Sequence, residues 1–135
     1  MTSAALSLQE AMRDRLLSHA PLIALLQGAH VFDEAPRGAH APYVAFAAIE
    51  TRDWSVMEAK AHEHFVSIEV ATRERSRALA QDIVGEIDAA LDRAALVLVD
   101  HVLINLSLVF ATVTRIRGSE HFGALIRFRA VTEAV

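Results

Sequence analysis

The spacing of apolar residues predicts two amphipathic helices in this chain. The first covers residues 6–18, where leucines and Met12 cluster on one side at three- and four-residue spacings. Ser7 is placed to cap it, because Glu10 follows three residues later as in a capping box. The second covers residues 74–93 and has the stronger pattern. Its apolar stripe, which needs a sheet to cover, repeats every four residues through Leu79, Ile83, Ile87 and Leu91.

Outside these helices, alternating apolar and polar positions predict short strands. A short apolar turn, residues 22–26, precedes the first strand and begins after Pro21. Trp54, the only tryptophan, falls in a turn at residues 53–59. The four strands predicted before the C-terminal region cover residues 30–33, 43–52, 62–72 and 95–99.

Two long strands, residues 102–116 and 120–131, are predicted to form a hairpin around a turn at 117–119. A strand of this length spans about 50 Å at about 3.3 Å per residue, whereas a compact domain of this size is roughly 37 Å across. The hairpin is therefore expected either to bend at a bulge near Ser107 or Thr112 or to project as a free edge. The pattern assigns one face to Ile104, Leu106, Leu108, Phe110 and Ile116, and the matching face of the return strand to Phe122, Ala124, Ile126, Phe128 and Ala130.

This order of elements predicts an α+β fold in one domain, residues 1–135. The predicted architecture is a mixed or antiparallel β-sheet with two helices packed on one face and a long C-terminal β-hairpin. With 135 residues, of which 53% are hydrophobic, the chain can bury a core without covalent staples. There is no cysteine, which excludes disulfides and thiolate metal ligands.

The charge and the apolar runs exclude several classes of partner. The net charge is −4 and Lys60 is the only lysine, so non-specific nucleic-acid binding is not expected. The longest apolar runs, residues 41–49 and 94–99, are too short to cross a membrane as a helix. Residues 1–6 lack the basic side chains of a signal peptide. These features predict a cytoplasmic protein without membrane contacts.

The candidate metal ligands with a suitable spacing are His62 and His64, which alternate onto one strand face. A catalytic zinc usually needs a third protein ligand, and no sequence motif marks one. Two interpretations stay open: a small metal-dependent hydrolase using this pair, or an edge-strand pair that faces solvent. The carboxylates, serines and glycines form no catalytic or phosphate-binding motif. We therefore expect no catalytic residue, no cofactor and no bound metal.

Arginines concentrate on the C-terminal hairpin, where Glu120 lies beside the turn. Because the planar guanidinium binds carboxylates bidentately, arginine is enriched at protein interfaces. Trp54 is either a core anchor or an exposed contact at such a surface. Ordinary solvated strand faces are the alternative for the arginines. The residues predicted to contact a subunit or partner are Trp54, Arg115, Arg117, Glu120, Arg127 and Arg129.

The order of these blocks resembles the tail-completion, or tail-terminator, family of long-tailed bacteriophages and phage-derived gene transfer particles. The resemblance spans nearly the whole chain, and Ala41-Pro42-Tyr43-Val44 is its most distinctive block. It also covers the strand that ends at Thr72 and the helix that follows. The other blocks that carry it are residues 8–12, 22–26, 31–36 and 126–130.

This resemblance implies a structural role without catalytic residues. Proteins of the family form a ring, expected here to be a hexamer, on the head-proximal end of the tail tube. The ring stops polymerisation of the major tail tube protein and offers a docking surface to the head–tail connector or stopper protein. DNA would only pass through the lumen, without sequence-specific binding. The protein would act in the bacterial cytoplasm during assembly and then become part of the particle.

A ring of identical subunits needs a heterologous interface that closes. The predicted contact is the hairpin against a neighbour's sheet edge, with the tip from Arg117 to Glu120 touching an adjacent subunit or the tube protein. Two further alternatives stay open. One is another head–tail joining protein, a connector or stopper. The other is a small ligand-binding domain, although nothing in the sequence indicates an apolar pocket.

Overall fold

A computed structural model of the chain describes residues 3–135; Met1 and Thr2, which begin the segment compared with a signal peptide, lie outside this range. The helices in this range are α1 (Ala4–Leu17), α2 (Ala20–Leu26) and α3 (Ala78–Leu91). The strands are β1 (Val31–Phe32), β2 (Tyr43–Asp53), β3 (Ala61–Ala71), β4 (His101–Arg115) and β5 (Phe122–Ala134). None of these helices is long and apolar enough to span a membrane.

The strands form one mixed sheet in the order β1-β2-β3-β5-β4. β1 runs parallel to β2, and every other neighbouring pair is antiparallel. The predicted α+β class and the C-terminal hairpin, β4 and β5, are therefore confirmed. β5 pairs with β3 on one side and β4 on the other along nearly its whole length, so the hairpin is built into the sheet and is not a projecting arm.

The helices and one face of the sheet share one apolar core. The stripe predicted on α3 supplies Ile83, Ile87 and Leu91 to this core, and all three are fully buried. The described chain has three helices rather than the predicted two, because the apolar turn after His19 is the helix α2. Pro21 lies in its first turn, where a missing N–H loses no hydrogen bond. The sheet residues that meet the helices include Val66, Ile68, Val70, Ala124, Ile126, Phe128 and Ala130.

The predicted cap of the first helix is wrong by one turn. Ser3 caps α1, because its side-chain oxygen accepts a hydrogen bond from the Leu6 N–H at 3.1 Å. Ser7 is buried inside the helix instead, and its hydroxyl donates to the carbonyl of Val99 at 2.8 Å. The pattern suggested a later start because the alanines of the first turn carry little periodic signal. This buried serine ties α1 to the segment that follows α3.

The segment at residues 95–99, predicted as a strand, makes only one isolated bridge, between Val97 and Val102. It belongs to a connection that runs from α3 along the outer edge of β4. There, the Leu108 N–H donates to Asp92 Oδ1 at 3.1 Å. These contacts give part of β4 a partner, but they are too irregular for a sixth strand. The helix before this connection, α3, is also shorter than the predicted 74–93.

β4 contains two register shifts, which place bulged residues at Ile104 and Val109. The predicted bulge near Ser107 or Thr112 is confirmed, since Val109 lies between these two residues, whereas the bulge at Ile104 was not predicted. Each bulge inverts the alternation of side chains, so the predicted face of β4 is confirmed only in part. Leu106 and Leu108 pack on the core, whereas Ile104, Phe110 and Ile116 are exposed. The predicted face of β5 is confirmed, since it has no bulge, and its members Phe122, Ala124, Ile126, Phe128 and Ala130 are all buried.

Candidate assembly surface

The face of the sheet that the helices leave uncovered, called here the open face, carries charged side chains on three adjacent strands. The alternation of β2, β3 and β5 places glutamates and arginines there, opposite the apolar side chains of the core. Antiparallel register then sets arginine beside glutamate on neighbouring strands. The charged residues joined by ion pairs on this face are Glu50, Arg52, Glu63, Arg127 and Arg129.

Glu63 is the centre of this network, and its side chain is only 3% exposed. The Arg129 Nε donates to one carboxylate oxygen at 2.6 Å, and the Arg52 Nε donates to the other. Burial alone would raise the pKa of Glu63, but the hydrogen bonds and charges of Arg129 and Arg52 outweigh it and hold that pKa below its ordinary value. The carboxylate is therefore kept ionised by two partners and is not poised to donate a proton.

Trp54 sits between the two arginines that hold Glu63. The Arg52 guanidinium lies 5.3 Å from the indole centroid and the Arg129 guanidinium 5.5 Å from it, both within cation–π range. The indole is 42% exposed, so Trp54 is not a core anchor. Its exposure agrees with the other interpretation from the sequence, while contact with a partner stays a prediction. Arginine stacking fixes the orientation of a large apolar surface at the margin of the open face.

Arg127 forms a second, smaller cluster on the same face. Its guanidinium lies 4.7 Å from the ring centroid of Phe65, and its Nη2 lies 3.6 Å from the Glu50 carboxylate. Glu50 is mostly exposed, so this ion pair contributes little to the free energy of unfolding. Together, these contacts place the guanidinium beside Phe65 and Glu50, with the Arg127 side chain 30% exposed.

The other three predicted contact residues lie at the far end of the hairpin. Arg115 stacks over Phe122 at 5.5 Å from the ring centroid. Glu120 forms an exposed ion pair with Arg75 at 3.2 Å. Arg117 is exposed in the turn. The six predicted residues therefore fall into two groups: Trp54, Arg127 and Arg129 on the open face, and Arg115, Arg117 and Glu120 at the hairpin end.

The histidine pair is not the solvent-facing edge pair that the sequence suggested, because β3 is an interior strand. His64 is fully buried, and its Nδ1 and Nε2 each lie 2.8 Å from a hydroxyl, those of Thr51 and Thr132. Burial, followed by the charges of His62 and His101, lowers the pKa of His64 to about 4. Both ring nitrogens are thus engaged by the protein. Between residues 3 and 135, no group of three or more His, Cys, Asp or Glu could hold a metal ion.

Sequence reasoning missed Glu63 and Arg52. Glu63 falls on the open face by strand alternation, but its burial depends on the register that sets Arg52 and Arg129 on either side of it. An alternating strand with a glutamate between two arginine-bearing strands was the available signal. The burial of Glu63 could not be predicted from this signal without the order of the strands in the sheet.

The fold and this surface define a class: a small α+β domain that presents charged and aromatic side chains on one sheet face. The chain belongs to the tail completion protein gp17 family, whose sequence profile matches residues 10–133. It is therefore a structural protein of phage tail completion, a class that is typically not enzymatic. The family indicated by the order of the sequence blocks is confirmed.

The fold is also similar to a solved structure described as the virion of a native gene transfer agent (GTA) particle. The two chains share 29% sequence identity over 98% of this chain and 100% of that chain, with a TM-score of 0.88. No curated protein sequence matches this chain significantly.

Proposed function

We propose that this protein is a tail terminator. Copies of the chain form a ring, a hexamer by resemblance to the family, at the head-proximal end of a finished tail tube. The ring stops addition of further tube protein and gives the head–tail connector or stopper a surface to dock on. The observation that carries this proposal is the similarity, over the full length of both chains, to a subunit of a gene transfer agent virion.

The surface chemistry of the chain supports a ring around a DNA conduit. The net charge is −4, and like charge keeps DNA from adhering as it passes. Exposed apolar side chains that a neighbouring subunit could cover include Val56, Met57 and Val97. All of residues 1–135 would act as one domain, because one apolar core joins the helices to the sheet.

The two groups of predicted contact residues have separate roles in this proposal. Trp54, Arg127 and Arg129 lie on the open face, where rigid aromatic and guanidinium surfaces suit a flat partner. Arg115, Arg117 and Glu120 lie at the hairpin end, where they would reach an adjacent subunit. The protein acts in the cytoplasm during assembly and remains at the tail–head junction of the particle.

Deletion of the gene, followed by electron microscopy of the particles, tests this function. We expect overlong or headless tails, with normal particles restored by the wild-type gene. Tails that are of normal length and joined to heads would contradict the proposal. Tails of normal length without heads, with the protein retained on heads in the wild type, would instead indicate a connector or stopper.

Complementing the gene deletion with a His62→Gln variant distinguishes the structural role from a metal-dependent hydrolase. His62 is half-buried beside the fully buried His64, so His62→Gln removes a potential ligand at little cost to the core. A terminator carrying this substitution should restore normal tails. Failure of a well-folded His62→Gln protein to restore them would favour chemistry at the histidine pair.

A further inference from the structure

Each edge of the sheet is covered along one part and open along another. On β4, the connection after α3 covers the first part, where the Arg93 N–H donates to the Leu106 carbonyl at 2.8 Å. Beyond the bulge at Val109, no segment within residues 3–135 pairs with the outer edge of β4. We call residues 109–115 the open segment of β4. It ends in the basic turn that contains Arg117.

The opposite edge of the sheet is open at the other end. β1 covers β2 only at Val44 and Ala45, and a bulge at Ala47 follows. Residues 48–53 have no partner strand on their outer side among the described residues, and we call them the open segment of β2. A groove of about 320 Å3 lies beside the start of this segment, and the exposed carboxylates Asp33 and Glu34 line it.

The directions of the strands allow the two open segments to pair between copies. β2 and β5 run one way across the sheet, and β3 and β4 run the other way. Two copies related by rotation about a ring axis from which the strands are tilted therefore bring β4 of one antiparallel to β2 of the next. The tilt lets neighbouring copies shift along the strands while the ring still closes. Antiparallel pairing is the slightly more stable geometry, and the contact is heterologous, as ring closure requires.

The register defines how the copies must be displaced. Thr112, in the middle of the open segment of β4, is level with Ala45 across β5 and β3. Placing Thr112 opposite Glu50 of the next copy moves that copy by four residue pairs of the ladder, since Ala47 is bulged, or about 13 Å along the strands at about 3.3 Å per residue. In this register, the pairing with β4 stops at Ala48, before the residues that β1 covers, and the hairpin turn meets the end of β1, where Asp33 and Glu34 follow.

Charge complementarity supports this register. It brings Arg115 and Arg117 of one copy beside the groove that Asp33 and Glu34 line in the next. Neither acidic side chain has an ion pair or hydrogen-bond partner among residues 3–135. Guanidinium groups bind such carboxylates in pairs. The proposed register therefore brings the basic hairpin turn of one copy against the acidic groove of the next.

The same displacement also matches two exposed apolar patches. The covered part of β4 would extend past the end of β2 in the next copy and run level with its β2–β3 turn. That turn exposes Val56 and Met57, and the β4 side exposes Val97, Val102 and Ile104. Burial of these side chains between copies would remove apolar surface from water and so favour the contact.

We propose that the open segment of β4 and the turn after it dock on the open segment of β2 and the acidic groove of the next copy, so that the sheets of neighbouring copies become continuous. The occupant of the groove is a second copy of this chain. This inference rests on the proposed ring and specifies its interface. The bulges at the start of both open segments limit pairing with other strands in the free protein.

Engineered cysteines test the register directly, because the chain has no native cysteine. Ala48 and Thr114 are both exposed and would lie opposite each other between copies. The double variant Ala48→Cys/Thr114→Cys, assembled into particles and treated with a short bismaleimide, should give a ladder of cross-linked multimers up to the full ring. The matched control Ala48→Cys/Val97→Cys, whose second cysteine lies beside the covered part of β4, should give none.

The outcomes separate this interface from the proposed function. If particles contain the double variant and have tails of normal length but give no cross-linked ladder, the proposed interface is wrong and the terminator function still stands. Absence of the protein from particles that still have normal tails would overturn both. A ladder of equal intensity from the control variant would also contradict the assigned register.

A charge exchange gives a second, independent measurement. The variants Arg115→Glu/Arg117→Glu and Asp33→Arg/Glu34→Arg should each reduce the yield of normal-length tails at least tenfold while the protein remains folded by circular dichroism. Combining the two pairs in one chain should restore the yield to within about threefold of wild type. No restoration in the combined variant would contradict contact between these groups.

Discussion

The two faces of the sheet are built from the same strands but bury different chemistry. On the covered face, β5 contributes Ile126 and Phe128, which are fully buried against the helices. On the open face, the same strand contributes Arg127 and Arg129, which are held by carboxylates and aromatic rings. The covered face excludes water and stabilises the fold, whereas the open face orients polar and aromatic groups at the surface. One strand thus buries an apolar row on one side and presents an ion-paired row on the other.

Truncating neighbouring residues of β5 should give the largest contrast. Ile126→Ala removes a fully buried side chain and should lower the free energy of unfolding by about 2–5 kcal/mol. Leu125→Ala, on the open face and 39% exposed, should cost less than about 1 kcal/mol. Urea denaturation of the two variants measures both values. Equal losses would contradict the division between the faces.

The buried histidine of the covered face should make stability depend on pH. The fold holds the pKa of His64 at about 4, below the ordinary value of 6.5, so the unfolded chain gains its proton first as the pH falls. The contribution of His64 is complete above pH 6.5 and is lost between there and about pH 4. Its size is about 3 kcal/mol, at 1.36 kcal/mol per pH unit.

The histidine prediction is tested by denaturation at a series of pH values. His64→Gln should flatten the decline between pH 6.5 and 4, while the neighbouring His62→Gln should keep it. A decline that is the same in wild type and His64→Gln would show that the buried imidazole is not the titrating group.

Replacing each of two glycines with alanine should change the free energy of unfolding in opposite directions. A Cβ added at Gly123, in β5, would lie 2.5 Å from the backbone carbonyl oxygen of Val70, so the strands must move apart. Overpacking of this kind costs about 1–3 kcal/mol. A Cβ at Gly85, in α3, meets nothing within 4 Å, and alanine there should stabilise the helix by up to about 1 kcal/mol. Thermal denaturation of both variants is the measurement.

The smallest expected change in stability comes from Trp54, on the open face. Trp54→Ala removes two exposed cation–π contacts and should cost about 1 kcal/mol. We expect this folded variant to be defective in completing tails, because the indole is the largest aromatic surface offered there. Normal tails from a Trp54→Ala strain would remove Trp54 from the proposed contact surface.

The periodic apolar pattern was sufficient to predict most of the covered face. Leu79, Ile83, Ile87 and Leu91 of α3 were assigned correctly to the face that packs on the sheet, because one amphipathic stripe must be buried. The face of β4 was predicted only in part, since the bulges at Ile104 and Val109 each reverse the alternation. A bulge depends on how a strand fits its neighbour, which a single stretch of sequence does not record.

The open face was predictable only in part, for a related reason. Arg127 and Arg129 were identified as surface residues, but their partners were not. The burial of Glu63 depends on its place between Arg52 and Arg129, and strand order fixes that place. Similarly, the sequence suggested a histidine pair on an edge strand, but β3 lies in the middle of the sheet and His64 is buried. Contacts between strands distant in sequence were therefore the missing information.

The most direct test of the terminator proposal is to add the purified protein to tube protein while it polymerises, and to measure tube lengths by electron microscopy. The account predicts that tubes become shorter as more of this protein is added, and that each capped tube carries one ring at one end. Tube lengths that do not change at any ratio of the two proteins would contradict it.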